Sequence, residues 1–335
     1  MSGAISLTGS AALVAGAGLT RLFVPEPILE TVAGFAREYT TIPGACDASG
    51  RLTSAASEAI LTEANGATAV AVGPGFGRSA EGTRLVVELF FELERPAVFD
   101  ADALNALAEA GAFDEAQAPN WQELEKKNAA AKRAERGVGE KGSAQGENAP
   151  KGGAPSKRCA ARKPRGARIL TPHPGEFARL TGAKPTGERA ARIDAALDFA
   201  TRTARRWNGE GAKTQVEQEN DLSVGAARGD SAFVVVLKGA GTVVADGSGA
   251  TFVNETGNPN LATGGSGDVL TGIIVGLLAQ GAAPLDATRS AVALHGLAAD
   301  LRSTLCSRGA IASDVVRFLP VAFDFYEAAQ TSARR

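Results

Sequence analysis

At 335 residues, with 44% hydrophobic content and a formal charge of −2, the chain is long enough for one large α/β domain or two small ones and carries a substantial core. That charge balance argues against a nucleic-acid binder, which would be basic overall, and no uncharged apolar stretch is long enough to span a bilayer. Cys46, Cys159 and Cys306 lie far apart without metal-ligand spacing, and only two histidines exist, His173 and His295, so neither a disulfide framework nor a histidine-rich metal site is expected. The first residues lack the charged, apolar and cleavage regions of a signal peptide, which makes the cytoplasm the expected compartment.

Along the chain, residues 3–17 read as a small-residue helix packed closely on a neighbour, and Leu19–Val24 as a strand. Pro25-Glu26-Pro27 opens a second helix carrying Ile28, Leu29, Val32 and Phe35. Ala67–Val72 is an apolar run ending in Gly73-Pro74-Gly75-Phe76-Gly77, the strand-to-loop pattern of a parallel sheet. Leu85–Leu93 is helical, Ala97–Phe99 is a strand ending in Asp100-Ala101-Asp102, and a helix follows through Leu107. The alternation resumes with strand Arg168–Leu170, a helix from Glu176, a helix through Phe199, strand Phe233–Leu237 and strands near Val243 and Phe252. Such alternation argues for one parallel sheet covered on both faces, with polar motifs at the carboxyl ends of its strands.

Two stretches break the pattern. Residues 119–166 hold twelve Lys/Arg against five Glu, with Leu124 and Val138 as the only large aliphatics, so they bury too little to offset ordering entropy and read as a disordered insertion. Residues 207–230 read as a surface-loop insertion. Both interrupt a single domain spanning 1–335 rather than divide it.

The most informative segment is Gly264-Gly265-Ser266-Gly267-Asp268, followed by the apolar run Val269–Leu278. Small residues let the backbone approach a phosphate, and a helix start attracts an anion through its free N–H groups and dipole. Asp268 there is either a base that takes a proton from a hydroxyl or a simple N-cap.

Taken together, the Gly73–Gly77 segment, Asp100-Ala101-Asp102-Ala103-Leu104-Asn105, Thr171-Pro172-His173-Pro174-Gly175-Glu176-Phe177, Lys238-Gly239-Ala240-Gly241-Thr242, and Thr256-Gly257-Asn258-Pro259 running into Gly264–Asp268 resemble the ADP-dependent (S)-NAD(P)H-hydrate dehydratase family of the ribokinase-like superfamily. The resemblance implies a three-layer α/β/α sandwich with a mostly parallel central sheet. It also implies a lyase that phosphorylates the hydroxyl of hydrated NADH or NADPH with ADP, then eliminates phosphate. Asp268 matches the catalytic aspartate and a substrate contact; Ala4, Gly77 and His173 match further substrate-side positions. Lys238, Gly239, Ala240, Gly241, Thr242 and Gly267 match the nucleotide site, and Gly265, Ser266 and Gly267 the anion hole. Asp100, Asp102 and Asn105 either orient Mg²⁺ through water or cap the helix after Asp102. His173 is otherwise a packed or capping residue, and Lys238–Thr242 a strand end with a glycine turn.

The family normally begins with a strand and a glycine-rich turn, into which Met1-Ser2-Gly3-Ala4 falls, so a first strand is expected to be missing here. ADP or ATP, NADHX and NADPHX are the implied small-molecule partners, with a homo-oligomer, commonly a tetramer. The competing functions are a ribokinase-like kinase for a small alcohol and an inactive nucleotide-binding protein that docks through its basic insertion.

Overall fold

A computed structural model describes residues 1–114, 163–208 and 232–333. In chain order the elements are α1 (Ser2–Val14), β1 (Arg21–Pro25), α2 (Leu29–Ala33), β2 (Thr40–Gly44), α3 (Ser57–Asn65), β3 (Val70–Val72) and α4 (Ala80–Glu92). Then come β4 (Ala97–Phe99), α5 (Asp102–Glu109), β5 (Arg168–Leu170), α6 (Pro174–Thr181), α7 (Arg189–Trp207) and β6 (Phe233–Leu237). β7 (Val243–Asp246), β8 (Thr251–Val253), α8 (Ser266–Ala279), α9 (Pro284–Leu305) and α10 (Ala312–Ala333) complete the described chain.

The fold is α/β with a mostly parallel central sheet in the order β3-β4-β5-β6-β7-β8. Strands β3 to β6 pair in parallel, whereas β6-β7 and β7-β8 are antiparallel, as their short connections allow. Alternation along each strand divides the core. Phe99, Leu170, Phe233 and Val235 face one apolar cluster with Phe90 and Phe199. Val98, Ile169, Val234 and Val236 face a second cluster with Ile273, Ile274, Val292 and Leu319. Helices therefore cover both faces and the sandwich has three layers.

Small residues fix how close the layers come. Helix α1 lies against α8 so tightly that a Cβ on Gly272 would fall 2.3 Å from the Thr8 carbonyl oxygen, and one on Gly276 2.7 Å from that of Ala12. Arg168 stands fully buried at the start of β5 because its guanidinium caps the end of α4, donating to the carbonyls of Phe90 (2.6 Å) and Leu93 (2.5 Å).

The structure departs from the sequence reading in several places. The single expected sheet is accompanied by a separate two-stranded parallel sheet, β1-β2. Its second strand and helix α3 are absent from the sequence reading, because Thr40–Gly44 carries Pro43 and no apolar run. The first helix ends at Val14 rather than residue 17, and the second is a 3₁₀ turn, Glu26–Ile28, leading into the five residues of α2. Helix α6 starts at Pro174, before Glu176. The insertion expected over 119–166 lies outside the described residues as far as 162, and that over 207–230 from 209 onward. Trp207 instead closes α7 and packs edge-on against Phe233, ring centroids 4.9 Å apart. Among the described residues, no helix is long and apolar enough to cross a membrane.

Candidate active site

The glycine-rich segment delivers the chain into α8 with an open start. Gly265 takes φ +88° and is itself the N-cap, with no side-chain hydrogen bond closing the helix. Asp268 stands in the first turn, which removes the capping alternative for it. Its carbonyl accepts from Thr8 Oγ1 (3.0 Å), tying α8 to α1. Early N–H groups of a helix have no intrahelical acceptor, and at Gly267 a Cβ would come within 3.2 Å of Lys238 Nζ and 3.6 Å of Asp100 Oδ2. Only a glycine keeps that space open. Ser266 is buried: its amide turns back to the Thr263 carbonyl (3.3 Å), and its hydroxyl lies 3.2 Å from His295 Nε2. Burial pushes His295 down to about 4, so the ring is neutral at pH 7 and its Nε2–H donates to the Ser266 carbonyl (3.0 Å).

Behind this entrance sits a buried ion pair. Lys238 Nζ, at the end of β6, meets Asp100 Oδ1 at 2.7 Å, at the end of β4. Thr271 Oγ1, one turn into α8, donates to Asp100 Oδ2 at 2.9 Å, so both oxygens of this carboxylate are engaged. Glu176 lies 3.9 Å from the same ammonium. Asp268 is only half-buried, yet its carboxyl is raised to about 6, chiefly by burial and then by repulsion from Asp100, with Lys238 opposing both. A carboxylate at that value exchanges protons near neutral pH, as a general base requires.

The other sequence-derived positions distribute around this centre. Gly77 takes φ +80° with open space where a Cβ would stand, but its amide is already used by Asp102 Oδ2 (2.8 Å). Asp102 thus braces the Gly73–Gly77 loop and does not cap α5, whose N-cap is Ala101. Ala101 adopts φ +50°, a conformation costing about 1–3 kcal/mol that persists only where surroundings demand it, and it separates the two carboxylates to different partners. Asn105 is drawn elsewhere, its Oδ1 accepting from Arg179 Nε (2.8 Å). Ala4 is buried in the first turn of α1, against Gly75 of the same loop. His173 is the N-cap of α6, its Nδ1 accepting from the Gly175 (3.0 Å) and Glu176 (3.3 Å) amides. The Lys238–Thr242 turn is closed internally by Thr242 Oγ1 donating to the Gly239 carbonyl (2.9 Å). Arg192 of α7 holds it from below, donating to the carbonyls of Ala240, Leu237 and Lys238.

Sequence reasoning missed Thr271, Glu176, Arg192 and His295 as partners. For Arg192 a signal existed: it shares the buried face of α7 with Ala196, Phe199 and Thr203, where a charged residue is out of place. The donor set does not build an Mg²⁺ cage. Asp100 has both oxygens committed, and no cluster of three carboxylate, histidine or cysteine side chains that could hold a metal occurs among the described residues.

A family model described as NAD(P)H-hydrate dehydratase matches residues 1–121 and 155–320. The bifunctional NAD(P)H-hydrate repair enzyme of Moorella thermoacetica is 33% identical over 96% of this chain and 46% of its own length. The chain thus spans about half the length of the curated relatives it matches. In fold it is similar to the ADP/ATP-dependent NAD(P)H-hydrate dehydratase of Bacillus subtilis co-crystallised with ATP/Mg²⁺ and soaked with CoA. The TM-score is 0.59 at 24% identity, over 97% of this chain and 88% of the other. A ribokinase-like superfamily protein of Enterococcus faecalis gives a TM-score of 0.61 at 18% identity, over 97% and 83%. With its ribokinase-like sandwich and a family match over most of its length, the chain belongs to the NAD(P)H-hydrate dehydratase family.

Proposed function

We propose that this chain dehydrates (S)-NADHX and (S)-NADPHX, with ADP as the phosphoryl donor. The ring hydroxyl attacks the terminal phosphorus of ADP, its proton passes to Asp268, and AMP leaves. Phosphate is then eliminated with loss of a ring proton, which restores the double bond of NADH or NADPH. The observation that carries this reading is the open start of α8, with a half-buried carboxyl raised to about 6 in its first turn.

In this reading the Gly265–Gly267 backbone holds the transferred phosphoryl group as the anion hole, while Lys238–Thr242 and Gly267 contact the nucleotide. Ala4, Gly77 and His173 line the side that receives the hydrated ring. Lys238 adds positive charge where phosphate oxygens gather, which stabilises the transfer electrostatically. The reading also carries ATP as an alternative donor, Mg²⁺ arriving with the nucleotide, a cytoplasmic location and a homotetramer, the last to be read by light scattering.

The test is direct. The purified protein is given NADHX or NADPHX with ADP, and return of reduced-nicotinamide absorbance is followed together with release of AMP and phosphate. Recovery of absorbance with equal AMP and phosphate supports the reading. Nucleotide binding without turnover of the hydrate overturns it, and turnover of a small alcohol instead would leave a kinase.

A further inference from the structure

Helix α9 is tied to the chain that leads into α8 on both sides of His295. Thr256 Oγ1 donates to the Ala293 carbonyl (2.9 Å), and Asp300 accepts from the Gly257 amide (2.7 Å) and from Asn258 Nδ2 (2.8 Å). The contact is so close that a Cβ on Gly296 would fall 2.2 Å from Thr256 Oγ1. The Thr256-Gly257-Asn258-Pro259 motif is therefore a clamp on α9. His295 stands within the clamped stretch, buried, with its Nε2 3.0 Å from the Ser266 carbonyl and 3.2 Å from the Ser266 hydroxyl. A carbonyl only accepts, so the ring proton lies on Nε2 and reaches two oxygens of one residue.

That contact acts on the start of α8 through a single peptide unit. The Ser266 carbonyl and the Gly267 amide belong to one planar trans peptide, in which C=O and N–H point in opposite directions. Holding the carbonyl toward α9 therefore aims the Gly267 N–H out of the open helix start. Neither the Gly267 nor the Asp268 amide has an acceptor among the described residues. The segment does not supply this aim by itself. Gly264, Gly265 and Gly267 leave the backbone freer than any other residue would, and the N-cap makes no side-chain bond. Thr8 grips the next carbonyl, that of Asp268 (3.0 Å), but the N–H of that peptide is Val269's, already donated to the Gly265 carbonyl (3.1 Å). Of these two side-chain grips, only that of His295 sets the direction of an amide left free for a ligand.

We propose that His295 is a positioning residue of the anion site, whose Nε2–H fixes the Ser266–Gly267 peptide so that the Gly267 amide meets the transferred phosphoryl group. This rests on the reading above, in which that amide belongs to the anion hole. The test compares the parent with His295→Leu, His295→Gln and Val292→Ala, following turnover of the hydrate with ADP and the amide signal of Gly267 by NMR as ADP is added. In His295→Leu, kcat falls about ten- to a hundredfold with a smaller rise in KM for ADP, and the Gly267 signal moves about half as far as in the parent or less. His295→Gln restores both, because its Nε2 reaches where the imidazole Nε2 stands. Val292→Ala opens a small cavity in the core on the same helix, so it lowers Tm and leaves kcat and the Gly267 shift as in the parent. Should the Leu variant not fold, His295→Asn is read in its place, since its amide reaches only the position of the imidazole Nδ1. Parental kcat and Gly267 shift in the Leu or Asn variant overturn the proposal. So does a Gln variant that restores neither, or a Val292→Ala variant that loses as much, since His295 would then serve stability alone. A parent that binds ADP without dehydrating the hydrate fails the functional reading, while the Gly267 shift still judges His295. A Gly267 signal that ADP does not move in the parent overturns the proposal.

Discussion

Two helix starts flank Lys238, and they are finished in opposite ways. Helix α6 is closed on itself: His173 Nδ1 accepts from the first-turn amides, Glu176 Oε2 accepts from the His173 amide (2.8 Å), and Pro174 has no N–H to satisfy. Helix α8 has a glycine N-cap and no side-chain acceptor for its first amides. Both are introduced by glycine and proline in the sequence. The difference is that α6 spends side-chain groups on closing its own start, whereas no side chain closes that of α8. Within one site, the closed start holds geometry and the open one is suited to bind the anion.

The contrast breaks most sharply at Asp268. Asp268→Asn is expected to lower kcat about a hundred- to ten-thousand-fold, while nucleotide affinity and fold persist. Because the folded carboxyl is raised from 3.8 to about 6, the native state disfavours its charge: the associated stability is present below pH 3.8 and lost as pH rises through about 6. At neutral pH the Asn variant should therefore be as stable as the parent or more so, by about 1–2 kcal/mol after allowance for solvent screening. A large loss of Tm with little loss of kcat would make Asp268 structural.

Next in size is Gly265→Ala. The left-handed backbone resists a side chain, and the added Cβ would stand 2.7 Å from Leu7 Cδ1 and 3.1 Å from the Ala312 Cβ. A loss of about 1–3 kcal/mol is expected, with KM for the nucleotide raised as the open amides shift. Denaturant unfolding and nucleotide titration read both effects.

His173→Ala should cost about 1 kcal/mol through loss of the α6 cap, and His173→Asn should restore it, because Asn caps well. If the Asn variant also restores KM for the hydrated cofactor, the ring acts only as a cap. A KM that stays raised assigns His173 to the substrate as well.

A further effect is in pH dependence, spread over more than two pH units. His295 is depressed from 6.5 to about 4, so its contribution to stability is complete above pH 6.5 and is lost as pH falls through about 4. Over that window stability should fall by up to roughly 1.4 kcal/mol per pH unit from this group, and His295→Gln should flatten the slope. Equal slopes in parent and variant would remove His295 from the acid response.

Much of this was legible in the amino-acid order. Strands β4 and β6 are continuous apolar runs, so their burial on both faces could be read directly, whereas the buried Arg168 that opens β5 could not. The glycines before an apolar helix placed Asp268 in a first turn without any structure. Strand β2 and helix α3 escaped because their residues are only partly buried and lack a strong period. His173 as a cap was one of two open readings, and local spacing alone could not choose between them.

What the sequence determines here is local: which segments can be strands or helices, and where glycine lets the chain turn into α8. Tertiary structure decides the chemistry of the site. Asp268 is raised to about 6 because packing half-buries its carboxyl and sets Asp100, from the end of β4, near it, while Lys238 from the end of β6 opposes both. Periodicity follows from the covalent spacing of neighbours, whereas desolvation and Coulomb interactions depend on distances through space, which exist only once the sheet has been assembled.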